Sequence, residues 1–280
     1  LKKSGCGVAF KTAHAALPHE LFSALHAKCP DLFEYVFNVH GISAFWKNEA
    51  CHRDLGADMV DPRHRAKVIP IRAWGDDASH CKTSGCCALS WVSCTCFDMP
   101  AGLSRLPFGF LDLRDCATPA FEAFYKIFIW STNVLRSGVH PFRDHNGKSW
   151  KEMGDTIRAQ RAGQPLAGKW LCALYEYTGD WKWEHEALQI PWFYNVKDIC
   201  MYCHAPNAPG PLCMTNFSRC GPCKSAPRSH QDYVQYHHGR LPALAQPNDF
   251  TIKRFVRIDW THCGPLGCMA RVCGSCLIGL

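Results

Sequence analysis

The sequence predicts an α/β fold: a mixed sheet flanked by helices, with a small cysteine-rich insertion. Three observations point there. Short apolar runs alternate with longer stretches of helical periodicity from residue 68 to residue 188. Two of those runs, residues 68–74 and 170–178, each lead into Gly-Asp. Two Cys-x-x-Cys pairs then follow, with sixteen residues between them.

Composition narrows the class. A chain of 280 residues, 47% apolar and 20% charged, can bury a substantial core, so wholesale disorder is not expected. No run of 18 apolar residues exists, and no membrane partner is expected. The net charge of +7 suits a polyanion, although the basic residues are spread along the chain, as on an ordinary basic surface. Nineteen cysteines without a signal-peptide core after Leu1-Lys2-Lys3 suggest a reducing, intracellular setting. Some thiols would then hold metal and the others pack as small core groups, as expected for Cys86, Cys87, Cys94 and Cys96 in a strand-like run. The chain has no initiator Met and ends inside the apolar run 276–280, so a fragment of a longer protein is expected.

Residues 1–66 read as a helical lead-in. Leu21, Phe22 and Leu25 stand at helical spacing, and Pro30-Asp31 opens a second short helix carrying Leu32, Phe33, Val36 and Phe37. Residues 67–199 read as the core. VIPIRAW (68–74) is a strand that ends in the turn Gly75-Asp76-Asp77. CCALSWVSCTC (86–96) is a second strand and LPFGFLDL (106–113) a third. Thr118-Pro119 starts a helix with Phe121, Phe124, Ile127, Phe128 and Leu135 on one face, and Ser137-Gly138 ends it. After a polar loop, residues 149–162 are expected to be helical. WLCALYEYT (170–178) is the fourth strand, and Trp181 opens the next helix. Strand, strand, strand, helix, strand, helix is the order of an RNase H-like fold, whose first and fourth strands lie side by side. Residues 200–228 are a cysteine-rich zinc-binding insertion, and 229–280 a continuation of the core.

Neighbouring strand ends would bring Asp76 and Asp180 within reach of shared metal. Phosphodiester chemistry needs an activated hydroxyl and a stabilised leaving oxygen, which two divalent ions ~4 Å apart supply. Mg²⁺ and Mn²⁺ take carboxylate oxygens, so Asp76 and Asp180 are the expected ligands, with Asp77 as the register alternative to Asp76. Glu184 and Glu186 on the following helix are more distant helpers. Gly-Asp is also ordinary turn chemistry after a strand.

Cys200, Cys203, Cys220 and Cys223 have the spacing of a tetrahedral Zn²⁺ site, with His204 and Cys213 as spare ligands. Cys220-Gly221-Pro222-Cys223-Lys224 also matches the thioredoxin redox motif. No buried strand precedes it, and Pro227 comes too soon for a long helix, which favours zinc. The His237-His238 pair reads as a solvated loop, and Trp181-Lys182-Trp183 as core plus helix surface with base stacking as the alternative.

Three blocks resemble transposases of the Plavaka and CACTA (EnSpm) groups of DNA transposons. In residues 68–90 Asp76 takes the position of the family's first catalytic acid. In residues 178–203 Asp180 takes that of the second, followed by a helix and the pair Cys200/Cys203. In residues 257–267 (RIDWTHCGPLG), Asp259 and His262 match an Asp-x-x-His block. The resemblance implies an RNase H-like nuclease fold, catalytic Mg²⁺ or Mn²⁺, a nuclear location, self-association, and cutting and joining of transposon DNA ends. In such enzymes the third acid is a Glu well past the Asp-x-x-His block, beyond Leu280 here, and Asp259 is the acid that stands in for it. A non-catalytic zinc-containing module that binds nucleic acid or protein is the alternative.

Overall fold

Val68, Ile69, Ile71 and Ala73 are buried along one strand, and the main sheet is assembled around it. The computed structural model describes residues 2–4, 7–9, 14–51, 60–81, 84–96, 99–112, 118–192, 198, 200–206, 226–247 and 250–258. At the coarse level the expected class is observed, a mixed α/β fold with a five-stranded mixed sheet and flanking helices. β1 (Lys2–Ser4) and β2 (Gly7–Ala9) form a separate antiparallel hairpin. The main sheet contains β3 (Val68–Cys81), β4 (Ser84–Ser93), β5 (Leu106–Asp112), β6 (Leu171–Gly179) and β7 (Val256–Ile258), in the order β5-β4-β3-β6-β7. β4 runs antiparallel to both β3 and β5, while β6 and β7 are parallel. The chain divides into two compact units, residues 1–176 with 243–250, and residues 177–242 with 251–280.

In the first unit, aromatic side chains fix the helices. α1 (Pro18–Lys28) and α2 (Pro30–Phe37) each begin with Pro, whose fixed φ suits a first helical turn. Phe22, Phe33 and Phe37 pack as a triangle with ring centroids 4.8–5.1 Å apart, and Phe37 continues to Trp91 of β4. Asn38 ends α2 in the left-handed region (φ 37°), and its amide donates to the Thr95 carbonyl at 2.7 Å. The hydroxyls of Ser93 and Thr95 donate to the Phe37 carbonyl, one of the orphan acceptors at the helix end. α3 (Ile42–Ala50) buries Ile42 and Trp46, whose indole donates to the Val68 carbonyl at 2.7 Å. After α4 (Ala101–Ser104) and β5, α5 (Thr118–Ser137) lays Phe124 and Phe128 on Phe108 of β5. Gly138 closes α5 at φ 72°, a backbone conformation that favours glycine, and a Cβ there would have to displace the tip of Leu171, whose Cδ2 it would meet at 2.2 Å.

The second unit is made of shorter pieces. α7 (Trp181–Ala187), which follows α6 (Thr156–Arg161) of the first unit, starts directly after β6. Helix His230–Tyr236 has a complete capping box between Ser229 and Asp232. Its Tyr233 is buried and donates to the Leu188 carbonyl after α7. The Tyr202 hydroxyl donates to the Val256 carbonyl of β7 at 3.0 Å.

Several boundaries differ from expectation. β3 does not stop at Gly75-Asp76-Asp77 but continues to Cys81, because residues 75–79 pair with residues 85–89 of β4. Residues 149–162 are not one helix: turns occupy 150–154, and only α6 is helical. There Asp155 serves as N-cap, accepting from Arg158 N at 2.9 Å. α3 and β7 were not anticipated.

Candidate functional site

Strand alternation puts Arg72, Trp74 and Asp76 on one face of β3, all half-buried, with Ile71, Ala73 and Gly75 buried on the other. Asp76 stands opposite Ala88 of β4, and the Asp77 backbone opposite Cys87. The Arg72 guanidinium donates to the buried carboxylate of Glu176 on β6. Burial pulls Arg72 down, but the Glu176 charge and hydrogen bond, with Cys94 and Tyr175, together outweigh it and hold the guanidinium above its ordinary pKa. Arg105 covers the Trp74 ring, 4.0 Å from its centroid. The Arg72–Glu176 pair was missed at the sequence level. Its signal was a charge inside each apolar run, VIPIRAW and WLCALYEYT, since a charge buried in a strand requires a partner.

Asp180 is half-buried just after β6 and is the N-cap of α7, accepting from Trp183 N at 2.6 Å. Its local role is therefore defined: it satisfies an orphan amide and places negative charge at a helix N-terminus. Behind it Trp183 and Glu184 are buried, whereas Trp181 is at the surface and Glu186 pairs with Lys182 at 3.7 Å. The tryptophans thus divide between core and surface.

Cys200 and Cys203 form a tight knuckle. Tyr202 N donates to Cys200 Sγ at 3.4 Å, and Cys203 is fully buried. The chain returns alongside it: His204 N donates to the Ala226 carbonyl at 3.0 Å, and Arg228 N to the Tyr202 carbonyl at 2.9 Å. Arg228 packs its guanidinium 3.9 Å from the Trp192 ring centroid and donates through Nε to the Cys200 carbonyl. Its side chain is only 4% exposed, and the carboxylate of half-exposed Asp198 is 3.9 Å away. Burial pulls its pKa down, against the attraction of Asp198, Asp232, Cys200 and Cys203.

Asp76 belongs to the first unit, and Asp180, Cys200 and Cys203 to the second. Asp259, His262, Cys213, Cys220 and Cys223 lie outside the described residues. Among the described residues no group of three or more His, Cys, Asp or Glu has the arrangement of a metal site. Cys87 and Cys94 are buried and Cys86 and Cys96 half-buried, as packing residues would be. His237 is not simply solvated: it accompanies Gln189, whose carbonyl is 3.1 Å from Nε2, and stacks edge-on against Tyr233.

A second polar cluster gave no sequence signal, because its members are far apart in the chain. His19 is fully buried, with Nδ1 2.7 Å from the Ser131 hydroxyl. Burial lowers its pKa to about 4. Next to it Glu20 accepts from Arg158 at 2.9 Å and Arg161 at 2.7 Å. Burial alone would raise the Glu20 pKa, but the two guanidinium hydrogen bonds hold it below the ordinary range.

Fold and residues thus define a mixed α/β protein with a charged strand pair, a capped acid and a cysteine knuckle. Compared with known protein families, characterised proteins and solved structures, the chain matches none. Among the described residues no helix is long and apolar enough to cross a membrane.

Proposed function

We propose that this chain derives from a cut-and-paste DNA transposase with an RNase H-like nuclease core, in which Asp76 and Asp180 are the metal-binding acids. The observation that carries this reading is the strand order. An RNase H-like sheet opens with three antiparallel strands, sets its fourth beside the first, and adds a fifth parallel to the fourth. The order β5-β4-β3-β6-β7, antiparallel from β3 through β5 and parallel between β6 and β7, supports this reading. Arg72 and Glu176 bond across β3 and β6, and Asp76 and Asp180 each come four residues after that pair.

The donor set is carboxylate oxygen, which suits Mg²⁺ or Mn²⁺. Such ions neutralise phosphate charge and ionise the attacking water or 3′ hydroxyl when bound. The residues of the chain would hold and orient: Asp180 is fixed by its bond to Trp183 N, and Arg72 ties β3 to β6 through its bond to Glu176. Asp259 stands in for the third acid in this proposal, and His262 accompanies it. The substrate is DNA at transposon ends, and a nuclear location follows from that substrate.

The test is Mn²⁺-dependent nicking of supercoiled DNA by the purified chain beside its Asp76→Asn and Asp180→Asn variants. Nicking by the parent with a loss of at least ~10²-fold in each variant is expected, as for removal of a group that stabilises transition-state charge. Equal nicking by parent and Asp180→Asn sinks the reading.

A second reading is a non-catalytic zinc-containing module that binds nucleic acid or protein. The Tyr202 N–H to Cys200 Sγ bond and the return of the chain at Ala226 favour it. Cys200 and Cys203, with Cys220 and Cys223, would hold a structural Zn²⁺. Absence of nicking by the parent together with one bound zinc supports it, and a zinc-to-protein ratio near zero removes it.

A further inference from the structure

Between α5 and β6, residues 138–170 form an ordered extension. It is closed by antiparallel bridges between Val139 and Pro165 and between Arg143 and Ser149. Trp150 is buried within it and donates to the Pro141 carbonyl at 2.6 Å. Glu20 of α1 holds it from outside through Arg158 and Arg161, and Ser23 of α1 is 3.2 Å from His140 Nε2. An element anchored this firmly nevertheless exposes large apolar side chains: Phe142 is 67% exposed, Met153 50% and Ile157 68%. Apolar groups concentrated on an ordered surface mark contact with a partner.

The charges say which partner. Residues 138–170 contain six basic and three acidic residues. All three acids accept backbone N–H groups: Asp144 from Asn146 and Lys148, Glu152 from Ser149, and Asp155 from Arg158. Arg158 and Arg161 are engaged with Glu20. Arg143 donates to the Gly147 carbonyl, and among the described residues Arg143, Lys148 and Lys151 form no salt bridge. Three cations on the same extension as the exposed apolar side chains, outnumbering Glu152 whose charge Arg143 and Lys148 feel, match a DNA duplex, where phosphates take the cations and apolar wedges enter the minor groove. A second protein copy fits less well, since lysine is depleted at protein interfaces.

We propose that this extension is a duplex-DNA docking element, with Arg143, Lys148 and Lys151 on phosphates and Phe142, Met153 and Ile157 against the groove. The proposal rests on the DNA-acting reading above, but binding is read without cleavage. The experiment is fluorescence anisotropy of a labelled duplex of about 30 base pairs at two salt concentrations, without divalent metal. Parent, Lys148→Glu/Lys151→Glu and Phe142→Ala proteins are compared, with circular dichroism confirming the fold of each. The expected result is at least ~10-fold weaker binding than the parent, with a salt slope lower by about 2, for the double variant. Phe142→Ala should bind severalfold more weakly and lose the 2-aminopurine unstacking signal of a kinked duplex. Double-variant binding within twofold of the parent overturns the proposal, as does lack of duplex binding by the parent. Loss of self-association in Phe142→Ala, measured by sedimentation, with DNA affinity unchanged assigns the surface to a second copy and also overturns it. Loss of nicking with the binding differences intact leaves the docking element standing and removes only the catalytic reading.

Discussion

At the scale of single residues, the clearest energetic statement concerns His19. Its ring is fully buried against Ser131 and Trp130, and Glu20, His140, Arg158 and Arg161 are the titratable and charged groups around it. Burial lowers its pKa from 6.5 to about 4. The unfolded ring therefore takes up a proton at a higher pH than the folded one. Stability from the neutral ring is complete above about 6.5, drains as the pH falls through that window, and reaches its floor below the folded value. The slope is at most about 1.4 kcal/mol per pH unit, so roughly 3 kcal/mol is at stake. His140, also lowered by burial and by Arg161, acts in the same direction. His19→Gln should be less stable at neutral pH by ~1 kcal/mol, for a disturbed buried hydrogen bond, yet lose less between pH 7 and pH 4.5. Urea midpoints at the two pH values measure this; parallel losses in parent and variant would show that His19 does not carry the acid sensitivity.

At the scale of elements, Asp180 separates folding from chemistry. Its carboxylate caps α7, and an N-cap side chain replaced by alanine costs ~1 kcal/mol. Asparagine caps about as well. Asp180→Ala should therefore lower the denaturation midpoint by the equivalent of ~1 kcal/mol, while Asp180→Asn stays near the parent; equal losses in both would deny the cap its role. The same element shows what the sequence could and could not disclose. Trp170–Thr178 read as a strand because residues buried on both faces leave an almost continuous apolar run, and Trp181 as a helix start because Asp precedes it. β3 past Gly75 was hidden. Gly-Asp-Asp-Ala-Ser-His has turn composition, and only the ladder to β4 keeps it extended. Residues 149–162 looked helical by composition, but Asp144, Trp150 and Asp155 direct the backbone into turns. Asp76 and Asp180 were legible as strand-associated acids. Arg72–Glu176, Arg228 and the His19 cluster were not, because each depends on partners brought in from elsewhere in the fold.

At the scale of the whole molecule, the two units differ in how they are held. The first has long elements and an aromatic core running from Phe22 to Trp91 and from Phe108 to Phe128. In the second, the described helices have at most seven residues, too few to stand without tertiary support. That support includes buried apolar side chains such as Tyr177, Trp183, Leu188 and Phe255, the ties of Tyr233 to Leu188 and Tyr202 to Val256, and the knuckle at Cys200 and Cys203. Arg228 adds a demand of its own, since its buried guanidinium is 3.9 Å from the Asp198 carboxylate. In the zinc-containing reading proposed above, a Zn²⁺ held by four thiolates would supply the opposite charge, and binding free energy of a structural metal is folding free energy. On that reading, zinc removal is expected to act on the second unit alone. With a strong chelator, amide exchange at residues 200–206 and 226–242 should quicken by at least tenfold, while α1, α5 and β3 keep their protection. Cys203→Ser should reproduce the effect without chelator. Exchange that quickens equally in both units would mean that the metal stabilises the fold as a whole, and unchanged exchange in residues 200–206 would mean that the knuckle is held by packing and hydrogen bonds alone.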